Sequence, residues 1–280
     1  MRPLSFDRWD AQAGAPLAVL LHGIGGGRDA WGDALSGTGR ALAKAGFSAV
    51  AVDLPGYGES VSESPSLEPY TLAGVAQGVV GLIESLGHER AIVVGHSLGG
   101  MVAQELYALA PQRVRALVLA STSSAFGKPG GSWQQQFLAE RFAPLDAGRG
   151  MAALAESLVA SMVGPQAPSA AVAGATALMA RVPEATYRAA LTALTRFDRR
   201  EQLAHIAVPT LCLTGEHDRN APPSLVHQMA QRIPGAEYLQ IPGVGHLAPM
   251  EAPQAFNHAL IAFLHRRAGI GSEEELRHGR

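Results

Sequence analysis

The sequence has almost no cysteine. Cys212 stands alone among 280 residues, which excludes a disulfide framework and a thiolate-rich metal site. Charge is also scarce: charged residues make up 16% of the chain against 47% hydrophobic, a balance that excludes disorder and coiled coil. Lys and Arg number 22 and Asp and Glu 24, for a formal charge of −2. Without a basic excess or stripe, nucleic acid is not expected as the main partner. A long hydrophobic run is missing too. The longest uncharged stretch, from Ser157 to Ala180, is interrupted by Gly164, Pro165, Pro168 and Gly174, so no membrane span is expected. Met1 to Ala15 carries Arg2, Asp7, Arg8 and Asp10 and has no apolar stretch, which predicts no export signal and a cytoplasmic location. At 29.2 kDa the chain makes one large domain, or one domain with an insertion, able to bury its core without disulfide or metal support.

Short apolar runs alternate with longer segments of helical character. Leu17–Leu21, Ser48–Val52, Ala91–Val94, Ala116–Leu119, Thr210–Leu213 and Glu237–Ile241 read as strands. Most are apolar throughout, as in a parallel sheet covered by helices on both faces. Leu72–Leu86, Gly100–Ala110, Ser224–Arg232 and Pro253–Arg267 read as helices. In the first of these, Leu72, Val75, Val79, Leu82 and Leu86 recur with helical spacing. From Ser124 to Glu201 the alternation stops, and Ala, Leu, Met and Gln dominate. That length is too great for one crossover, so residues 124–201 are predicted to form an all-helical insertion in a core made of residues 1–123 and 202–280.

The strongest chemical signal is Gly95-His96-Ser97-Leu98-Gly99, between a predicted strand and a predicted helix. A serine at such a turn is forced into strained backbone geometry and presents its hydroxyl above the sheet. The hydroxyl needs a base. Of ten histidines, nine read as surface or packing residues. His246, in the loop Pro242–Leu247 after the last strand, falls at the sheet edge where strand C-termini collect. Asp218, after the strand Thr210–Leu213, opens on the same edge and is the expected partner that orients His246. Glu216 and Asp198 are its rivals, and a turn or helix-capping role is the structural alternative. The strand Leu17–Leu21 runs into His22-Gly23-Ile24-Gly25-Gly26-Gly27, where the backbone N–H of Ile24, with that of Leu98, can hold an oxyanion. A dinucleotide-binding turn is disfavoured, because Arg28 occupies the third glycine position counted from Gly23.

Together the His22-Gly23 turn, the Asp53–Ser60 loop, the Gly95–Gly99 elbow, Asp218 and His246 resemble the α/β-hydrolase family, in family order and over nearly the whole chain. The resemblance implies a mostly parallel doubly wound sheet with an inserted helical cap. It also makes Asp53 a structural loop residue. Serine at position 97 argues against the branches that place an aspartate there. Within the family the chain is most similar to small bacterial hydrolases of the 3-oxoadipate enol-lactonase kind. Meta-cleavage-product hydrolases, which cut carbon–carbon bonds, are a second likeness, but they commonly carry Asn before the nucleophile and Trp after the histidine, where this chain has His96 and Leu247.

The expected function is cleavage of a small-molecule ester or lactone through an acyl-enzyme on Ser97. The partner is then the substrate; no metal or organic cofactor is needed, and self-association is left open. Trp31, Phe126, Trp133, Phe137 and Met162 are the candidates to line an apolar pocket, with Phe142, Met151, Leu178 and Met179 beside them, although most of the nine read as core packing of the cap, because helical apolar stripes usually pack inward. Carbon–carbon bond hydrolysis is the alternative within the family. A ligand-binding receptor or interaction module that retains the three residues is the alternative from another class.

Overall fold

A computed structural model describes residues 4–61, 70–128 and 130–267; His278 lies outside them. Within these residues the chain forms β1 (Phe6–Trp9), β2 (Leu17–Leu21), α1 (Thr38–Lys44), β3 (Ser48–Val52), α2 (Leu72–Ser85), β4 (Ala91–His96), α3 (Leu98–Leu109) and β5 (Val114–Ala120). Four helices follow: α4 (Ser132–Asp146), α5 (Gly150–Met162), α6 (Ser169–Ala180) and α7 (Glu184–Leu194). The chain then continues through β6 (Thr210–Gly215), α8 (Pro223–Arg232), β7 (Glu237–Ile241), α9 (Ala248–Glu251) and α10 (Pro253–Arg267).

The strands make one sheet in the order β1-β3-β2-β4-β5-β6-β7. It is parallel throughout except at β1, which runs antiparallel to β3. Every residue of β2, β3 and β4 is buried, which is why these strands read as unbroken apolar runs rather than alternating ones. β1 is an addition to the sequence reading. Its Asp7 and Arg8 interrupt any apolar run, as suits an edge strand exposed on one side.

Two features position the site. The strand order reverses between β2 and β4, since β3 lies on the far side of β2. In an open α/β sheet the crevice beyond such a switch point is where ligands bind, and it receives the loops after Leu21 and after His96. The second feature is the helical stretch between β5 and β6. The chain enters and leaves it side by side. Phe126 N–H donates to Phe197 O at 3.0 Å and Arg199 N–H donates to Ser124 O at 2.7 Å, so α4–α7 stand on a two-stranded neck beside the strand ends. Among the described residues no helix is long and apolar enough to cross a membrane.

Candidate active site

Ser97 directly follows β4 with φ 53 and ψ −116. A non-glycine residue in this region carries about 1–3 kcal/mol of backbone strain and persists only where its surroundings over-determine it. Here they do. Ser97 N–H donates to Ala120 O at 2.9 Å, while Ser97 O accepts from Gly100 N–H at 2.9 Å and from the Thr122 hydroxyl at 2.8 Å. The flanking glycines are required by close approach. A Cβ on Gly95 would lie 2.3 Å from Gly99 O, and one on Gly99 would lie 2.2 Å from Leu21 O.

The loop after β7 brings His246 to the serine. Its Nε2 is 3.0 Å from Ser97 Oγ, and its Nδ1 is 2.9 Å from each carboxylate oxygen of Asp218. With Nδ1–H donating to the carboxylate, Nε2 accepts from the serine hydroxyl. Asp218 is 3% exposed; burial works against its charge. His246 and the Ala221 N–H nevertheless hold it below the usual carboxylate range. Asp218 Oδ1 also accepts from Asn220 and Ala221 N–H at 2.9 and 2.8 Å, so the turn role and the contact with His246 belong to the same carboxylate. The rivals sit elsewhere. Exposed Glu216 accepts from Gly243 N–H at 2.8 Å, and Asp198 pairs with Arg200 at the neck.

The loop after β2 is fixed by its own side chains. His22 Nδ1–H donates to Gly23 O at 2.7 Å while its Nε2 accepts from Leu54 N–H at 3.1 Å, and the Tyr57 hydroxyl donates to Ile24 O at 3.1 Å. Asp53 accepts from Arg28 and Glu59 N–H at 2.8 and 3.1 Å, which makes it a brace for the neighbouring loop. The N–H groups of Ile24 and Leu98 have no partner among the described residues, and Leu98 opens α3, where the helix dipole favours negative charge.

A cavity of about 290 Å³ opens above Ser97 and His246. Phe126, Trp133, Phe137, Met162 and Met179 line it. Trp31, offered as a pocket candidate, does not. It is 1% exposed and packs against Phe256 at 6.1 Å between ring centroids, and its neighbour Ala30 reaches the cavity instead. A large flat side chain on the turn after a glycine-rich loop can face either way, and burial of the indole in the core decided it. Phe142, Met151 and Leu178 also fall outside the lining; Phe142 lies under the Arg188 guanidinium at 4.8 Å.

Two positioning residues escaped the sequence reading. His96 Nε2–H donates to His246 O at 2.8 Å, where a surface or packing role was expected. Glu251, on α9, accepts from three backbone N–H groups: Gly164 at 2.7 Å, Gly245 at 2.9 Å and Leu247 at 2.9 Å. Its five-residue spacing from His246 is a signal only once α9 is known to turn back on the loop.

A doubly wound sheet with a strained serine on a strand-to-helix turn, followed in space by histidine and aspartate, defines the class of α/β hydrolases. The chain belongs to the alpha/beta hydrolase fold family, whose profile matches residues 16–253. A protein of Variovorax paradoxus (strain S110), provisionally named carbamate hydrolase RutD, is 32% identical over 91% of this chain and 94% of its own. The dihydrolipoyllysine-residue acetyltransferase component of the acetoin cleaving system of Pseudomonas putida is 30% identical. That alignment takes in 92% of this chain but 66% of the longer relative. Among solved structures, the enol-lactonase from Burkholderia xenovorans LB400 superposes with a TM-score of 0.80 at 26% identity, covering 94% of this chain and 96% of the other.

Proposed function

We propose that the chain is a serine hydrolase that cleaves a carboxylic ester or lactone of a small molecule through an acyl-enzyme on Ser97. The observation that carries this reading is the unbroken line from Ser97 Oγ to His246 Nε2 at 3.0 Å and from His246 Nδ1 to Asp218 at 2.9 Å. His246 takes the hydroxyl proton as Ser97 Oγ bonds to the carbonyl carbon. The carbonyl oxygen becomes an oxyanion that accepts from Ile24 and Leu98 N–H. As the C–O bond of the ester breaks, His246 returns the proton to the leaving alkoxide. Water, deprotonated in turn by His246, then releases the acid and restores Ser97. Asp218 stays ionised and holds the imidazole in the tautomer that leaves Nε2 free to accept.

The likeness to an enol-lactonase supports a lactone, whose leaving alcohol stays attached to the acyl group. The likeness to the RutD protein favours a second reading, a carbamate carbonyl attacked in the same way. The four helices α4–α7 act as the cap that selects the substrate.

A fluorophosphonate probe followed by intact-mass measurement tests the serine directly. One adduct per wild-type chain and none on Ser97→Ala is the expected result. Ser97→Ala should also lower ester turnover by roughly three or more orders of magnitude while melting like the wild type. A folded wild-type chain that takes no probe and turns over no ester, lactone or carbamate would overturn the proposal.

A further inference from the structure

Two residues other than glycine have a positive φ among the described residues, Ser97 at 53° and Ser121 at 48°. They follow neighbouring strands. His96 on β4 pairs with Ala120 on β5, so the two serines come next, side by side. The first is the candidate nucleophile, and the second has no task in the reaction as described so far. Backbone strain of this kind persists where the surroundings impose it, and it collects at functional sites. A glycine would take the same φ freely, so what serine adds at position 121 is its hydroxyl.

Ser121 is 1% exposed and lines the cavity above Ser97. Its Oγ makes no hydrogen bond of ordinary geometry among the described residues. A buried polar group left in that state calls for a partner. The backbone shows which one is within reach. Ser121 N–H donates to Leu213 O at 2.7 Å, which sets Ser121 beside Thr214 at the end of β6, and the Thr214 hydroxyl in turn lies 3.3 Å from Asp218 Oδ2.

Asp218 has room for another donor on that oxygen. Its Oδ1 accepts from Asn220 and Ala221 N–H and faces His246. Its Oδ2 faces His246 Nδ1 and the Thr214 hydroxyl, but that hydroxyl is nearer to Ala221 O, at 3.1 Å. A hydroxyl has one proton to give. Burial works against the charge of Asp218, and the Ser121 hydroxyl stands with His246 and the Ala221 N–H among the groups that offset it.

We propose that Ser121 is a positioning residue, whose hydroxyl turns to donate to Asp218 Oδ2 when His246 takes the proton of Ser97. The assignment rests on the reading of Ser97 as nucleophile and His246 as its base. At that step an imidazolium faces a carboxylate whose side chain has no exposed surface. A neutral donor on Oδ2 shares the negative charge, keeps the proton on Nδ1 and holds the plane of the ring. Rotation about the Cα–Cβ bond is all that Ser121 contributes; no covalent bond forms or breaks there.

The test separates the hydroxyl from the strain. Ser121→Ala removes the hydroxyl alone, whereas Ser121→Gly removes hydroxyl and strain together. Both should lower kcat for p-nitrophenyl acetate about tenfold while KM stays within roughly twofold. Ser121→Asn, which tolerates this φ and carries an NH₂ donor, should recover part of the loss. Without the donor the carboxylate favours the protonated base, so the acid limb of kcat/KM should move to higher pH. The other titratable groups around His246 are the His96 ring at 5.2 Å, Arg219 beside Asp218, and Arg141 and Tyr187 in the cavity wall, with Glu251 on the flanking N–H groups. The variants leave all of them in place. Ser121→Gly with wild-type kcat, or with a lowered kcat and an unmoved acid limb, would overturn the assignment. So would a rise in KM at constant kcat, which would put the hydroxyl on the substrate. Proton NMR reads the contact without turnover: the Nδ1 proton of His246, identified by its loss in Asp218→Asn, should move downfield in Ser121→Gly. If no fluorophosphonate adduct forms and no ester is turned over, the nucleophile reading fails; if the Nδ1 resonance stays where it is in wild type, the positioning role fails.

Discussion

His96 stands between the strand that leads to Ser97 and the loop that carries His246. Its hydrogen bond to the His246 carbonyl requires a neutral ring or an imidazolium, and burial, helped by the proximity of His246, chooses the neutral form by pushing His96 down to about 4. In the unfolded chain the same imidazole takes its proton near 6.5. Between those two values the unfolded state binds more protons, so stability rises with pH across that window and is lost as pH falls through it. The share belonging to His96 is about 3 kcal/mol. His22, which burial also lowers, acts in the same direction. His96→Asn keeps a donor for the His246 carbonyl and removes the titration. Melting temperatures measured from pH 7 to pH 4 should therefore show a shallower acid limb in the variant than in wild type. An acid limb that superposes on the wild type would mean that His96 does not titrate in this window. Nothing in the sequence pointed to this role. The residue before the serine is read from a one-dimensional pattern, whereas its partner lies 150 positions away.

At the scale of elements, the loop after β7 is held from two sides. Glu251 gathers the N–H groups of Gly245 and Leu247 around His246 and that of Gly164 at the end of α5. His246 N–H itself donates to Met162 O at 2.7 Å. The end of α5 and the loop carrying His246 are therefore one hydrogen-bonded unit. Glu251→Gln puts an NH₂ group where only acceptors fit. The loss of even one buried charge-assisted bond costs about 1–3 kcal/mol. The expected outcome is a lower melting temperature with kcat falling more than KM rises, because His246 is displaced while the cavity wall is kept. A kcat equal to wild type would show that the loop holds its shape without the carboxylate. The elements themselves were largely legible. The buried strands β2 to β5 announce themselves as apolar runs, and Ser97 and His246 follow from lying at strand ends. Trp31 and β1 were not legible for a shared reason. Which way an indole faces, and whether a four-residue segment with two charges finds a partner edge, depend on neighbours that only the folded chain supplies.

For the molecule as a whole, the cavity is a gap between two layers, the sheet edge below and α4–α7 above. The layers are fastened at several points besides Glu251. The Thr186 hydroxyl donates to Gly56 O at 2.9 Å, and Arg181 meets Asp29 at 2.7 Å. A cavity walled this way has a fixed size. Each methylene of an acyl chain that enters its apolar part gains about 0.8 kcal/mol, or roughly fourfold, until the space of about 290 Å³ is filled. Beyond that point further methylenes either remain in water or force the helices apart. For straight-chain p-nitrophenyl esters from acetyl to dodecanoyl, kcat/KM should rise by about that factor per carbon and then break to a plateau or a fall. Met179 lines the cavity and is buried, so Met179→Ala should move the break to longer chains without changing the early slope. A continued rise to the longest ester would mean that the helices yield. A break that Met179→Ala leaves unmoved would place the acyl chain along another wall.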